Sequence, residues 1–248
     1  MGRLDDRVAV VTGAGVGLGR AVAITLAAEG AHVIAVSIVQ SELDELQTIA
    51  AARGLALETA IADVGDARRT QELADDTHQR FGAVDVLVNN AGIIVVKPIE
   101  ETAVDEYDRV LATNLRGPFL YCRAFLGPMR RRGAGTIINV SSESGVKGFT
   151  GESAYCPSKF GLEGLTRTLA LELEGTGVRV VSITPGAPMR TLMSHTTYSE
   201  ELRAQWIEPE LIAPGFVELA LDSDVISGSR FNAYRVAVDG VQAGRQPV

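Results

Sequence analysis

One feature of the 248-residue chain restricts its fold more than any other. Short apolar runs alternate with longer segments of helical periodicity from one end to the other. VAVV (Val8 to Val11) is the first run. The segment 18–29 follows with helical spacing and stops at Gly30, a residue suited to closing a helix. AHVIAVS (Ala31 to Ser37), LALETAIA (Leu55 to Ala62), VDVLVNN (Val84 to Asn90), TIINVSS (Thr136 to Ser142), VRVVSIT (Val178 to Thr184) and AYRVAVDG (Ala233 to Gly240) read as strands two to seven. Helices are predicted between them over 41–53, about 67–81, about 103–132 and 155–174. Strands that are apolar almost throughout belong to a parallel sheet covered on both faces. The expectation is an α/β fold with a doubly wound sheet of about seven strands. No linker, low-complexity stretch or second core interrupts it, so 1–248 reads as a single domain.

Composition narrows the function. Hydrophobic residues make up 46% and charged residues 22%, enough for a packed core and too apolar for a disordered chain. The net charge of -8 repels phosphate backbones, so nucleic acid is not an expected partner. Cys122 and Cys156 show no metal spacing and no disulfide framework, which points to the cytoplasm. Cys156 adjoins Tyr155 but has no base suggested nearby, so a catalytic thiol is not expected. His32, His78 and His195 are scattered, and no metal site is expected. MGRLDDRVAVV does not read as a signal peptide, and no stretch is long enough to span a membrane.

The first strand runs into TGAGVGLG, Thr12 to Gly19. Gly13 allows a tight exit, Gly17 lets the backbone approach a pyrophosphate, and Gly19 lets the helix pack on the sheet. Phosphates would meet the positive end of the helix and its free N–H groups. A glycine triplet alone is often only a turn. This one lies between a strand and a helix at the start of a βαβ unit, so a dinucleotide is the expected ligand and a Rossmann-type sheet the expected frame.

Here the chain resembles the short-chain dehydrogenase/reductase family. TGAGVGLG has that family's T-G-x-x-x-G-x-G spacing, and Asn89-Asn90-Ala91-Gly92 follows strand four as it does there. Asp63, with Val64 beside it, sits where the family contacts adenine. Asn114 matches a helical asparagine, Ser142 lies thirteen residues before Tyr155, and Tyr155 with Lys159 forms Y-x-x-x-K. Pro185-Gly186 follows strand six. The resemblance covers essentially the whole chain. It implies cofactor contacts at Gly13, Gly17, Leu18, Gly19, Ser37, Asp63, Val64, Asn90, Ala91, Gly92, Tyr155, Lys159, Pro185 and Gly186. It also implies a homotetramer built partly on the helices that carry Asn114 and Tyr155.

The stretch AYCPSK puts Tyr155 and Lys159 on one helix face. Alone, such a pair is most often a surface turn. Free tyrosine titrates near pH 10, whereas a proton-transfer group works best nearer neutrality. A neighbouring ammonium favours the phenolate. Tyr155 is therefore the expected general acid/base, and Ser142 would orient the substrate oxygen. The resemblance implies that Lys159 also bonds the nicotinamide ribose. Asn114 has two comparable readings: holder of a water that links Lys159 to solvent, or a structural amide that distorts its helix. Ser141 is expected to face the other side of its strand.

The chain departs from the family at two places. Strand two ends in Ser37 and Ile38, with Val16 in the glycine turn, so neither the acidic signal for NAD nor the basic signal for NADP is present. NAD or NADP remains open; a dianionic phosphate without a cation tilts the balance to NAD, and Arg53 or another cation would reverse it. The second departure is PGAPMRT (Pro185 to Thr191). Pro188 has no N–H where the family uses one, Thr191 comes one residue late, and Arg190 takes its place. Met189 supplies the N–H through a one-residue insertion, or the nicotinamide is held differently. Arg190 is read either as an anion contact or as a solvated arginine. The region 187–214 falls where the family has its mobile substrate lid. Met193, Tyr198, Leu202 and Trp206 form either the apolar side of a lid helix or plain packing. Ser144, Phe149 and Glu152 are candidate pocket residues.

Three functions follow. The first is an oxidoreductase moving a hydride between NAD(P) and a secondary alcohol or ketone. The second is a non-catalytic dinucleotide sensor or regulator on the same fold. The third is a sugar-nucleotide epimerase or dehydratase, for which the chain is short.

Overall fold

In the computed structural model, residues 2–197 and 199–246 are described. The apolar runs form eight strands: β1 (Val8–Thr12), β2 (His32–Ser37), β3 (Leu57–Ile61), β4 (Val86–Asn89), β5 (Gly135–Val140), β6 (Val178–Thr184), β7 (Arg230–Asn232) and β8 (Arg245–Gln246). Their order in one sheet is β3-β2-β1-β4-β5-β6-β7-β8. All neighbours are parallel except β7 and β8. β1 pairs with β2 on one side and β4 on the other, so the winding direction reverses at β1. That reversal opens a crevice at the carboxyl ends of the strands.

Helices cover both faces. On one, Leu18, Val22 and Leu26 of α1 (Gly17–Ala28) pack with Val11, Val33 and Phe216, the last from α9 (Pro214–Leu221). On the other, Tyr121, Phe125 and Met129 of α5 (Gly117–Arg132) pack against Val10, Leu87 and Ile137. α2 (Gln40–Ala52) and α3 (Ala67–Phe81) complete the first half of the molecule. Asp66 caps α3 by accepting hydrogen bonds from the N–H groups of Arg68 and Arg69.

The predicted helix over 103–132 is divided. α4 (Val104–Leu111) runs into one π turn (Ala112–Arg116) and then into α5. Asn114 lies at the centre of that wide turn, fully buried. Its Oδ1 accepts from the Ile93 N–H at 2.8 Å, and its Nδ2 donates to the Ile93 carbonyl at 2.9 Å. From the centre of the wide turn the amide thus grips the segment after β4.

The expected seventh strand, AYRVAVDG, is a correction. Residues 233–239 form a helix, α10 (Ala233–Asp239), and the strand lies just before it. Asn232 caps α10 by accepting from the Arg235 N–H at 2.9 Å. Ala233 and Val236, three residues apart, are buried, while Tyr234 and Val238 are exposed. Alternating valines mimic the strand period, but burial follows the helix period. A short helix, α11 (Val241–Gly244), then turns the chain back into antiparallel β8, an element without a recognisable pattern in the sequence.

Over 187–214 the chain forms two short helices, α7 (Leu192–Thr197) and α8 (Glu200–Arg203), and a 3-10 turn (Pro209–Leu211), rather than one amphipathic helix. Leu202 is exposed. Trp206 meets His195 edge to face, with ring centroids 4.6 Å apart. Tyr198 lies outside the described residues. Among the described residues no helix is long and apolar enough to cross a membrane.

Candidate active site

The glycine turn joins β1 to α1 and faces the crevice. Gly13 and Gly17 have φ of 62° and 56°, where glycine is free of strain. A Cβ on Gly19 would fall 2.1 Å from the Gly13 carbonyl oxygen, so no larger residue fits. Asn90 braces this turn from the end of β4. Its Nδ2 donates to the carbonyls of Thr12 (3.0 Å) and Gly13 (3.1 Å). Thr12 Oγ1 in return accepts from the N–H groups of Asn90 and Ala91. The role of Thr12 was not foreseen beyond its place in the motif.

No side chain caps the N-terminus of α1, and no acidic residue stands in its first turn. Its first N–H groups and the positive end of the helix are thus left without a side-chain partner. Thr191 closes over the turn: a Cβ on Gly17 would lie 3.3 Å from its methyl. The chain brings Thr191 there although its sequence position is shifted by one. Its Oγ1 also accepts from the Ser194 N–H at 3.2 Å, which starts α7.

Pro188 and Arg190 straddle Ile207 as in a short parallel ladder. The Ile207 N–H donates to the Pro188 carbonyl, and the Arg190 N–H donates to the Ile207 carbonyl, both at 3.0 Å. Met189 turns its own N–H away from that pairing. Arg190 pairs with Glu208 at 3.2 Å, and both side chains are more than half exposed. The solvated reading of Arg190 fits this position. Gly186 has φ of 81° and packs against the Asn232 side chain.

Tyr155 opens α6 (Tyr155–Glu172), and Lys159 follows one turn later. Both are buried, and Lys159 Nζ lies 5.6 Å from the centre of the Tyr155 ring. That ammonium donates to the Val140 carbonyl at the end of β5 at 2.8 Å. A methyl added to Gly92 would lie 3.4 Å from Asn114 Oδ1 and 3.7 Å from Lys159 Nζ. Asn114 and Lys159 thus converge on Gly92. Asn114 Nδ2 also donates to Ser158 Oγ at 3.0 Å, which in turn donates to the Tyr155 carbonyl at 2.7 Å. Burial lowers the Lys159 pKa to about 8, against an opposing pull from the Glu163 carboxylate.

Ser142 follows β5 and starts a single 3-10 turn (Glu143–Gly145). Its Oγ accepts from the Ser144 N–H at 3.2 Å and donates to Ser144 Oγ at 3.3 Å. Ser144 Oγ donates to Glu152 Oε2 at 2.7 Å, and Cys156 Sγ donates to the same oxygen at 3.3 Å. A polar chain therefore runs from Ser142 to Glu152. Burial raises the Cys156 pKa, and Glu152 adds to the rise, which keeps the group a thiol. Phe149 is exposed, with Lys147 Nζ 5.0 Å above its ring. Ser141 is buried behind Ser142.

Arg230 holds the Ser142 turn from behind. Its Nη2 donates to the Ser142 carbonyl and to Glu143 Oε1, and its Nε faces Glu163 at 3.4 Å. An arginine beside the misread strand gave no sequence signal. Ser37 and Asp63 sit at the ends of β2 and β3; the Gly65 N–H donates to Asp63 Oδ1 at 2.8 Å. Arg53 follows the last residue of α2, thirteen residues past Gln40 and about 20 Å along the helix. It stands at the opposite end of α2 from the glycine turn.

The family model for short chain dehydrogenases matches residues 7–202. The chain belongs to the short-chain dehydrogenase/reductase family. A D-threitol dehydrogenase of Mycolicibacterium smegmatis is 34% identical over 96% of this chain and 93% of its own. Levodione reductase of Leifsonia aquatica is 39% identical over 75% of this chain and 70% of its own. A metagenomic short-chain oxidoreductase solved in complex with NADP superposes with a TM-score of 0.81. It is 32% identical, over 92% of this chain and 96% of that one. As a short-chain dehydrogenase/reductase, the protein is an NAD(P)-dependent oxidoreductase of alcohols and ketones.

Proposed function

We propose that the protein moves a hydride between a nicotinamide dinucleotide and a secondary alcohol or ketone, with Tyr155 as general acid/base. The observation that carries this reading is the buried Lys159 ammonium beside the Tyr155 ring. A buried positive charge stabilises a phenolate more than an exposed one does. Ser142 Oγ holds the substrate oxygen, and its present partner Ser144 gives way or joins it. In reduction Tyr155 gives its hydroxyl proton to the carbonyl oxygen; in oxidation it takes the alcohol proton. Lys159 keeps the phenolate charge balanced through the step, and Asn114 holds the backbone beside it. When bound, the dinucleotide supplies or accepts the hydride. Gly13, Gly17, Leu18 and Gly19 would face its pyrophosphate, Asp63 and Val64 its adenine, and Asn90, Ala91, Gly92, Pro185 and Gly186 its nicotinamide half.

NAD is favoured over NADP, since Ile38 stands where a basic residue would be needed. Residues 1–248 act as one domain with a substrate lid over about 187–214. The protein works in the cytoplasm, in keeping with two free cysteines, of which burial pushes Cys122 up to about 12. It assembles as a tetramer. An apolar surface in which exposed Phe119 sits beside half-buried Leu111, Leu115 and Leu165, on α4, the π turn, α5 and α6, supports that assembly.

Oxidation of NADH and NADPH by the purified protein with a panel of ketones tests the reading, together with the reverse assay on secondary alcohols. Turnover with any member supports it. Tight dinucleotide binding with no turnover across both panels favours the sensor.

A further inference from the structure

The end of β2 has no carboxylate, yet a carboxylate reaches that place from elsewhere. Glu42 lies in the first turn of α2. Its Oε2 is 3.4 Å from Ser37 Oγ, the last residue of β2. A Cβ built on Gly15 would fall 2.2 Å from the same oxygen and 2.9 Å from Ser37 Oγ. The carboxylate therefore lies against the open face of the glycine turn, in space that Gly15 leaves free. A side chain at 15 would push the carboxylate out of this position. Ser37, Gly15 and Glu42 together line the corner between β1 and β2.

That corner has a known ligand chemistry. In dinucleotide folds the adenosine ribose sits at the end of β2, beside the glycine turn, and its hydroxyls are held by a carboxylate there. We propose that Glu42 is that carboxylate: it accepts the ribose hydroxyls with Ser37 and sets a preference for NAD(H) over NADP(H). This rests on the dinucleotide reading given above. Charge supports the assignment. A 2′-phosphate would bring about two negative charges against Glu42. Arg20, a cation beside this corner, is already engaged. Its Nε donates to the Gly15 carbonyl at 2.7 Å, and its Nη2 pairs with Glu45 at 2.9 Å. Arg20 Nη2 also lies 3.4 Å from the Glu42 carbonyl, so the arginine ties the first turn of α2 to the glycine turn. The side chains of Val16, Ile38 and Val39 around the corner are exposed and uncharged.

The test is calorimetric titration of the protein as purified with NADH and with NADPH, in the wild type, Glu42→Gln and Glu42→Ala. Glu42→Gln keeps the shape and the helix and removes only the charge. The wild type is expected to bind NADH at least about tenfold more tightly than NADPH, the worth of one charge-assisted hydrogen bond. In Glu42→Gln, NADH should weaken by about three- to tenfold while NADPH tightens, and Glu42→Ala should carry the same trend further. NADPH binding as tightly as NADH in the wild type would overturn the assignment, and would mean that Arg20 leaves Glu45 for the phosphate. Equal losses for both dinucleotides in the variants would overturn it too. If the wild type binds neither dinucleotide, the underlying reading falls as well; if it binds both and only the preference fails to move, this inference falls alone.

Discussion

The Arg230 guanidinium donates to the Ser142 carbonyl at 3.1 Å while its other edge faces Glu163 at 3.4 Å. Both side chains of that ion pair are almost fully buried, at 5% and 4% exposure. Glu163 lies on α6 one turn beyond Lys159, and its Oε2 accepts from Ser182 Oγ at 2.8 Å. One buried pair thus links β7, the Ser142 turn and the helix of Tyr155. Removing a single partner strands a charge away from water, whereas removing both does not. Arg230→Met is expected to lower stability by about 3–5 kcal/mol in urea unfolding. Adding Glu163→Gln should restore much of that loss. Simple additivity of the two losses would show that the residues do not act as a pair.

Tyr155→Phe keeps the ring and removes the proton. Turnover should fall by at least about a hundredfold, the usual worth of a positioned acid or base. Dinucleotide affinity should change little. A near-wild-type rate would assign the proton transfer to another group.

The apolar surface on α4, α5 and α6 gives a prediction about assembly. Phe119 is about half exposed beside Leu111, Leu115 and Leu165. In the proposed assembly a partner subunit covers this face, and a charge placed there would be stranded away from water. Light scattering should show an oligomer for the wild type and a smaller species for Phe119→Glu. A monomeric wild type would remove the tetramer.

Much of this arrangement was legible because its parts are local. Burial on both faces makes β1, β2, β5 and β6 largely apolar runs, and glycine is favoured where φ is positive or a Cβ would collide. Tyr155 and Lys159 needed only the helix period to be placed together. What could not be read depends on partners far along the chain. Nothing in the sequence distinguishes Glu42 from any other helical acid; only the placement of α2 brings it against Gly15. Arg230 meets Ser142 across 88 residues of sequence. The last strand was misread because Val236 and Val238 alternate, while the Asn232 cap that starts α10 leaves only a weak mark. Asn114 carried a signal, but a π turn in place of a straight helix left none.

The sharpest test of the site's electrostatics is the pH dependence of stability. Lys159 has a pKa of about 8 in the folded protein, against 10.5 for an ordinary lysine, because burial disfavours its charge. Between these values the unfolded chain holds a proton that the folded chain has released. Stability therefore rises with pH across this window. Below about pH 8 the ammonium is buried at its full cost, on the order of 3 kcal/mol. Lys159→Met removes this difference in proton binding and keeps the apolar stem. It also loses the hydrogen bond to Val140, worth about 1 kcal/mol. The variant is thus expected to be more stable than the wild type by about 2 kcal/mol at neutral pH, and the sign should reverse toward pH 10.5, where little but the lost hydrogen bond remains. Urea unfolding of both proteins across this range measures the difference directly. A gap that stays constant with pH would mean that Val140 and Glu163 compensate the ammonium fully. The depressed pKa would then be absent, and Tyr155 would face a lysine that stays charged throughout the working range.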